Sequence, residues 1–214
     1  NELYRQFQVG QQITLANASL KSERATGFEA GTLLNGERMG SVRLGYFWTQ
    51  VNRPVASLAL SPTLFQRQNL GQLRSEGFSA EWELRPAGFL TMTGGYQYAV
   101  STVTKFQVDP TLVGRWTPQV PRNTASLQAR FAKQRVGVLN VDLRTSGRQY
   151  DDSANQFKLN GYAQVDLYAE HVFGNKWRIY SSVQNLFNAE VQAGRTPLLT
   201  LGAPRLVSVG IRLR

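Results

Sequence analysis

The chain has no cysteine, one histidine and two methionines in 214 residues. Without cysteine there is no disulfide, no thiolate metal site and no cysteine nucleophile. The lone histidine, His171, needs carboxylate partners to build a metal centre, and its neighbour Glu170 points to the opposite face of a strand. Long apolar runs are missing too. The charge-free stretch from Pro86 to Thr104 has the length of a membrane-crossing helix, about 20 residues. It reads PAGFLTMTGGYQYAVSTVT, and two adjacent glycines with many hydroxyls argue against a helix. Acidic residues are the scarcer charge, 14 Asp+Glu against 24 Lys+Arg, for a net charge of +10. Such an excess suits nucleic acid, an anionic lipid surface or an anionic solute. The arginines are spread over the chain rather than clustered, which disfavours nucleic acid. No phosphate-binding loop or nucleophile elbow occurs.

What the sequence does have is two-residue alternation. In KWRIYSSVQNLF, Trp177, Ile179, Ser181 and Val183 share one parity and Arg178, Tyr180, Ser182 and Gln184 the other, as in a strand with one apolar and one polar face. The same pattern recurs about nine times, over segments of about ten residues. Examples are Phe78, Ala80, Trp82 and Leu84 against Ser79, Glu81, Glu83 and Arg85, and Leu139, Val141 and Leu143 against Asn140, Asp142 and Arg144. Asn35-Gly36, Pro86-Ala87-Gly88, Lys133-Gln134 and Gly174-Asn175 read as short turns, Asn-Gly being the strongest hairpin signal. Long loops, about 51–72, 102–121 and 188–203, alternate with these turns, and a loop of about ten residues follows Arg144. Ten-residue strands with tight turns at one rim and long loops at the other suit a tilted strand crossing a bilayer. A half-solvated antiparallel sheet gives the same alternation. On this reading Trp82, Leu127, Val141, Leu167, Ile179 and Val209 face outward, and Glu81, Gln128, Asp142, Asp166, Arg178 and Ser208 face the lumen.

The segments NELYRQFQVG, ANASLKSERATGFEAG, QNLGQLRSEGFSAEWEL, PRNTASLQARF, GRQYDDSANQFKLNGYAQVDLYAEHVF, SVQNLFNAEVQAGRTP and LGAPRLVSVGIRLR occur in an order that resembles TonB-dependent outer-membrane receptors. The resemblance runs over essentially the whole chain. It implies an all-β fold: an antiparallel transmembrane β-barrel, of which residues 1–214 supply about nine C-terminal strands of a larger, roughly 22-stranded barrel. It also implies that the family's N-terminal plug and first barrel strands lie outside these residues. The family's strands usually end in an aromatic residue, whereas this chain ends at Leu213-Arg214.

The resemblance implies a receptor for energised uptake of a scarce solute such as an iron–siderophore complex or cobalamin. It implies contact with outer-membrane lipid and lipopolysaccharide, and a TonB-type energy-transducing complex acting through the N-terminal part. A passive porin-like barrel and a soluble β-sandwich binding protein are the alternatives. The expectation is a non-enzyme of the bacterial outer membrane, with no catalytic, cofactor or metal residues, no nucleic-acid partner and a ligand site left unassigned. Glu76-Gly77, Asn69-Leu70-Gly71 and QNLF read as framework, with Phe187 a candidate interfacial cover and Gly77 a place of close strand approach. Asp151, Asp152 and Asn155 offer oxygen ligands for calcium, though a solvated loop explains them more simply. Asp142 and Asp166 share the polar face with Arg130, Arg144 and Arg178, so a lumen charge ladder is a better reading than acid–base chemistry. Arg53, Arg67, Arg74, Arg115, Arg122, Arg148 and Arg195 fall in or beside the long loops, suited to lipopolysaccharide or to an anionic chelate.

Overall fold

The computed structural model describes residues 5–36, 39–174 and 177–213. Nine strands form one antiparallel meander: β1 (Arg24–Gly36), β2 (Gly40–Asn52), β3 (Gln72–Ala87), β4 (Leu90–Lys105), β5 (Asn123–Lys133), β6 (Gly137–Ser146), β7 (Tyr162–Phe173), β8 (Trp177–Gln184) and β9 (Leu206–Leu213). Each pairs with its sequence neighbour, so every connection is local. No helix among the described residues is long and apolar enough to cross a membrane.

The register carries the alternation across the whole wall. Trp82 lies opposite Gly94, Gly94 opposite Leu127, Leu127 opposite Leu143 and Leu143 opposite Val165. On the other parity, Glu83 lies opposite Thr93, Thr93 opposite Gln128, Gln128 opposite Asp142 and Asp142 opposite Asp166. A one-residue slip in any pair would mix the two faces, so the pattern fixes the register. All six residues expected outward share one face, and all six expected in the lumen share the other. Exposed Ile179, Val207, Val209 and Ile211 belong to the apolar side. His171 does too, with its ring edge-on to Phe173 at 4.5 Å.

Glycines let strands and rings approach. A Cβ on Gly77 would stand 1.9 Å from the Tyr98 carbonyl oxygen, and one on Gly94 would meet the Trp82 ring at 2.5 Å. The close approach expected at Gly77 is therefore present.

Several local expectations need correction. β3 and β4 are 16 residues long and β1 and β2 13, not about ten. Asn35 and Gly36 do not occupy the hairpin turn; they pair with Ser41 and Gly40 in the ladder, and Gly40 takes the positive φ, 119°. Pro86 and Ala87 belong to β3, with Ala87 opposite Leu90 across Gly88 and Phe89. Gly174 has φ 57°, and Asn175 lies outside the described residues.

The loop between β2 and β3 is not irregular. It holds a hairpin, Val55–Ala59 with Leu64–Asn69, and the latter strand pairs in parallel with Gln12–Leu15, which pairs with Phe7–Val9. Asn69 ties this small sheet together: its amide donates to the Lys21 and Arg53 carbonyls, and its Oδ1 accepts from the Lys21 N–H. Beneath lies the main apolar core of the rim, Leu70, Val103, Phe106 and Leu112, all buried. Ala56, Leu58 and Ala154 pack on it from two further loop segments. The long loops thus form a packed cap over one end of the wall.

Candidate functional site

The polar face of the wall is a field of paired charges. Arg144 meets Asp166 in an ion pair, and Asp166 also accepts from Gln164 Nε2 at 2.9 Å and from the Asn185 N–H at 2.7 Å. Asp142 accepts from Gln128 Nε2 at 2.6 Å. Nearer the short turns, Arg85 pairs with Glu83. Glu170, its side chain only 6% exposed, holds Arg178 at 2.7 Å and Arg212 at 3.8 Å. Tyr168 donates a further hydrogen bond to Glu170 and stacks on Tyr180. Asp142 and Asp166 face each other across the ladder, each already taken by a donor. This is the charge ladder expected from the sequence. Neither Asp142 nor Asp166 is thereby left free for acid–base work.

Asn185 closes the last loop onto this wall. It is 1% exposed with φ 52°. Its Oδ1 accepts from the Ala189 N–H at 2.7 Å, and its Nδ2 donates to the Ala189 and Ala203 carbonyls. The QNLF segment is framework, as expected, with Asn185 as its working residue. Phe187, 72% exposed, stands clear of it.

Asp151 organises the loops above. Its Oδ2 accepts from the Arg195 N–H at 2.8 Å, from the Thr196 N–H at 2.8 Å and from the Thr196 hydroxyl, and its Oδ1 accepts from Gln119 Nε2 at 2.8 Å. One carboxylate thereby fastens three loop segments. Burial alone would raise the Asp151 carboxyl. The hydrogen bonds from the Thr196 hydroxyl, the Arg195 amide, Gln119 and the Thr196 amide outweigh it and hold the pKa below the usual aspartate value. Asp152 accepts from the Gln156 and Phe157 amides. Asn155 holds Trp116 by two bonds: Trp116 N–H to Oδ1 at 2.7 Å and Nδ2 to the Trp116 carbonyl at 2.9 Å. The oxygens considered for calcium are thus spent on backbone and side-chain donors. No cluster of three or more carboxylates and histidines suited to a metal occurs among the described residues.

The seven rim arginines part company. Arg74 pairs with Glu76 and lies over Trp48. Arg67 lies over Phe7, Arg115 donates to the Thr111 carbonyl, and Arg195 donates to the Lys158 carbonyl. Arg53 sits at a positive-φ turn. Only Arg122 and Arg148 come together, around one indole. The Arg122 guanidinium carbon is 3.9 Å from the Trp116 ring centroid and that of Arg148 is 5.7 Å away. The Tyr150 ring meets Trp116 edge-on at 5.5 Å. Neither arginine makes an ion pair among the described residues, and the buried Arg122 Nε has no hydrogen-bond partner there. Both lie on the polar side. The Ala99 N–H donates to the Arg122 carbonyl, and the β5–β6 register continues past Ser146 with the Gly147 N–H on the Asn123 carbonyl, setting Arg148 beside Arg122. The sequence showed both arginines as rim cations and gave no sign of their convergence, because Trp116 is fixed from Asn155, 39 positions away.

Residues 1–186 match the family model described as TonB dependent receptor-like, beta-barrel. The chain is 29% identical over 131 residues to the ferrichrome outer membrane transporter/phage receptor of Escherichia coli K12, covering 58% of this chain and 17% of that protein. It is 27% identical over 183 residues to the metal-pseudopaline receptor CntO of Pseudomonas aeruginosa, covering 81% of this chain and 25% of the relative. Among solved structures, the ferric yersiniabactin uptake receptor FyuA of Yersinia pestis superposes with a TM-score of 0.73 at 20% identity, over 89% of this chain and 30% of that one. The siderophore receptor PiuA of Acinetobacter baumannii gives 0.74 at 19%, over 88% and 28%. The chain therefore spans about a quarter or less of the length of these two curated relatives. A nine-stranded meander with one polar and one apolar face, matched over most of its length by this family, is a section of outer-membrane barrel: the chain belongs to the TonB-dependent receptors.

Proposed function

We propose that this chain is the C-terminal portion of the barrel of a receptor that imports a metal chelate of siderophore type across the outer membrane. Import is driven by a TonB-type complex acting on a plug domain encoded before these residues. The observation that carries this reading is the pairing of the two ends of the polar face. The wall carries ion pairs such as Arg144–Asp166 and Arg178–Glu170, and the rim above it is a packed cap in which Arg122 and Arg148 make no ion pair among the described residues. A large anionic solute meets attraction at the mouth and a wall of paired side chains below it. The named relatives handle ferrichrome and metal-pseudopaline, which supports a metal chelate as the cargo class. Transport of this kind needs no covalent step, so the protein is read as a transporter and not an enzyme. The apolar face meets membrane lipid, and the rim meets lipopolysaccharide.

The test is accumulation of labelled ferric chelates and of cobalamin in cells with and without the energy-transducing complex. Uptake should be saturable and should vanish with that complex. Uptake that follows concentration alone and ignores its loss would return the protein to the passive-pore class.

A further inference from the structure

We infer that Arg122 and Arg148, held on Trp116, form a subsite for the carboxylate oxygens of an anionic metal chelate. The inference rests on the transport reading above and names the charge and chemistry of the cargo.

Two like charges gathered round one ring repel each other, and the cation–π attraction to the indole offsets only part of that. Elsewhere on the polar face Arg85, Arg144, Arg178 and Arg212 each meet a carboxylate and Arg130 meets an amide oxygen, while Arg43, alone on its strand, has no ion pair among the described residues. Here no carboxylate is supplied by the described residues. The Arg122 guanidinium carbon lies 3.9 Å from the Trp116 ring centroid with Nε buried, which leaves the two Nη groups as the donors at its outer edge. That edge matches the two oxygens of a carboxylate. Arg148, exposed beside it, adds a second cation.

The platform is also fixed in advance. Trp116 is pinned by both of its backbone groups to Asn155, bridges to Thr102 of β4, and is braced by Tyr150. The Ser101 and Thr117 hydroxyls hydrogen-bond at 2.8 Å just beside it. A site ordered before its ligand arrives loses less freedom on binding. Phosphate groups of lipopolysaccharide present similar oxygens, but both arginines lie on the polar side of the wall, away from the lipid-facing apolar side, which favours a solute entering the barrel.

The experiment uses the intact receptor in detergent, with calorimetric titration of ferric citrate at low and high salt. Ferrichrome serves as the uncharged chelate, and bound lipopolysaccharide is measured as retained phosphate. Ferric citrate should bind, and more weakly as salt rises. Arg122→Gln and Arg148→Gln should each weaken binding by about tenfold or more, the scale of a lost charge-assisted hydrogen bond. Arg122→Lys keeps the charge and should recover only part of the loss, while Lys133→Gln at a short turn should change nothing. Heat-modifiable gel mobility reports that each variant is folded.

Ferric citrate binding that is absent, or equal in wild type and both Gln variants, overturns the subsite. Loss of retained lipopolysaccharide in those variants, with citrate affinity unchanged, assigns the arginines to a lipid phosphate and also overturns it. Partner-dependent ferrichrome uptake that persists in either case leaves the transport reading standing. Failure of every chelate to be taken up in a partner-dependent way removes both.

Discussion

At the short-turn end of the polar wall, four arginines have side-chain acceptors, while Arg43 makes no ion pair among the described residues. Glu170 alone holds Arg178 and Arg212, Arg85 has Glu83, and Arg130 reaches the Asn140 amide oxygen. At the long-loop end, Arg122 and Arg148 share an indole and no carboxylate. The same residue type on the same face thus serves two ends. Below, Arg178 and Arg212 tie β8 and β9 to Glu170 on β7, while Arg85 pairs along its own strand. Above, the packing that fixes Trp116 comes from loops, and the cations add little to it. A residue whose partners are all internal is a structural residue; one whose packing is satisfied and whose charge is not is poised for something from outside. The difference predicts where substitutions will damage stability and where they will damage binding.

The comparison first requires that the polar parity faces water and the apolar parity faces lipid. Val165→Arg places a charge on the apolar face at mid-wall and should cost about 2–4 kcal/mol. Asp166→Asn, one residue along on the polar face, should cost much less, since an amide oxygen still accepts from the Asn185 N–H. Folding titrations of the intact receptor into lipid vesicles measure both. Equal costs would break the assignment of faces and the comparison with it.

Next in size is Glu170→Ala. It leaves Arg178 and Arg212 without their carboxylate and Tyr168 without its acceptor. With Glu170 almost wholly buried, the loss should be about 2–3 kcal/mol, below that for a fully buried pair because Arg212 is well exposed. The urea midpoint of the vesicle-inserted protein should fall accordingly, while chelate affinity holds. A fall in affinity without a change in midpoint would invert the roles of the two ends.

The loop cap itself is tested at Asp151. Asp151→Asn replaces a four-bond acceptor by an amide with one acceptor oxygen and should loosen the Arg195–Thr196 segment by about 1 kcal/mol. The sign with pH follows from its lowered pKa in the folded state. The carboxylate's contribution is present above the unfolded aspartate value and is lost as pH falls through the lower, folded one. Hydrogen exchange at the Arg195 and Thr196 amides, corrected for intrinsic rates, should therefore show steady protection from neutral pH down to the ordinary aspartate range, with loss only below it. In the Asn variant protection should be weaker throughout and independent of pH. Loosening near pH 6 in the wild type would show that some other group fastens the cap.

The face pattern was legible because a strand's period is local: Glu81, Glu83, Asp142 and Asp166 each declare a side by parity, and nine antiparallel neighbours in chain order need no distant information. Turn positions were less so. Asn35-Gly36 has hairpin chemistry, yet the ladder runs through it and Gly40 takes the left-handed conformation, because register across β1–β2–β3 overrides a dipeptide preference. The cap was not legible at all. Its parallel pairing of Ile13 with Leu64 and its core of Val103, Phe106 and Leu112 against Leu70 join segments far apart in sequence. Deleting 106–117 would remove Phe106, Leu112 and Trp116 together, so point substitutions are the cleaner probes.

The smallest effect on stability, and the sharpest for the comparison, is expected for Arg122→Gln. Arg122 makes no ion pair or side-chain hydrogen bond among the described residues, so what it loses is the cation–π contact with Trp116, about 0.5 kcal/mol at a partly exposed site. Arg148, farther from the ring, should lose less still. The amide of Gln can lie on the indole and relieves the repulsion between the two cations, which offsets part of even that. The urea midpoint should therefore hardly move, in contrast to Glu170→Ala, though both changes alter one formal charge on the same face. If Arg122→Gln lowered the midpoint as far as Glu170→Ala does, the rim cations would be structural like those below, and the two ends of the wall would differ in geometry but not in role.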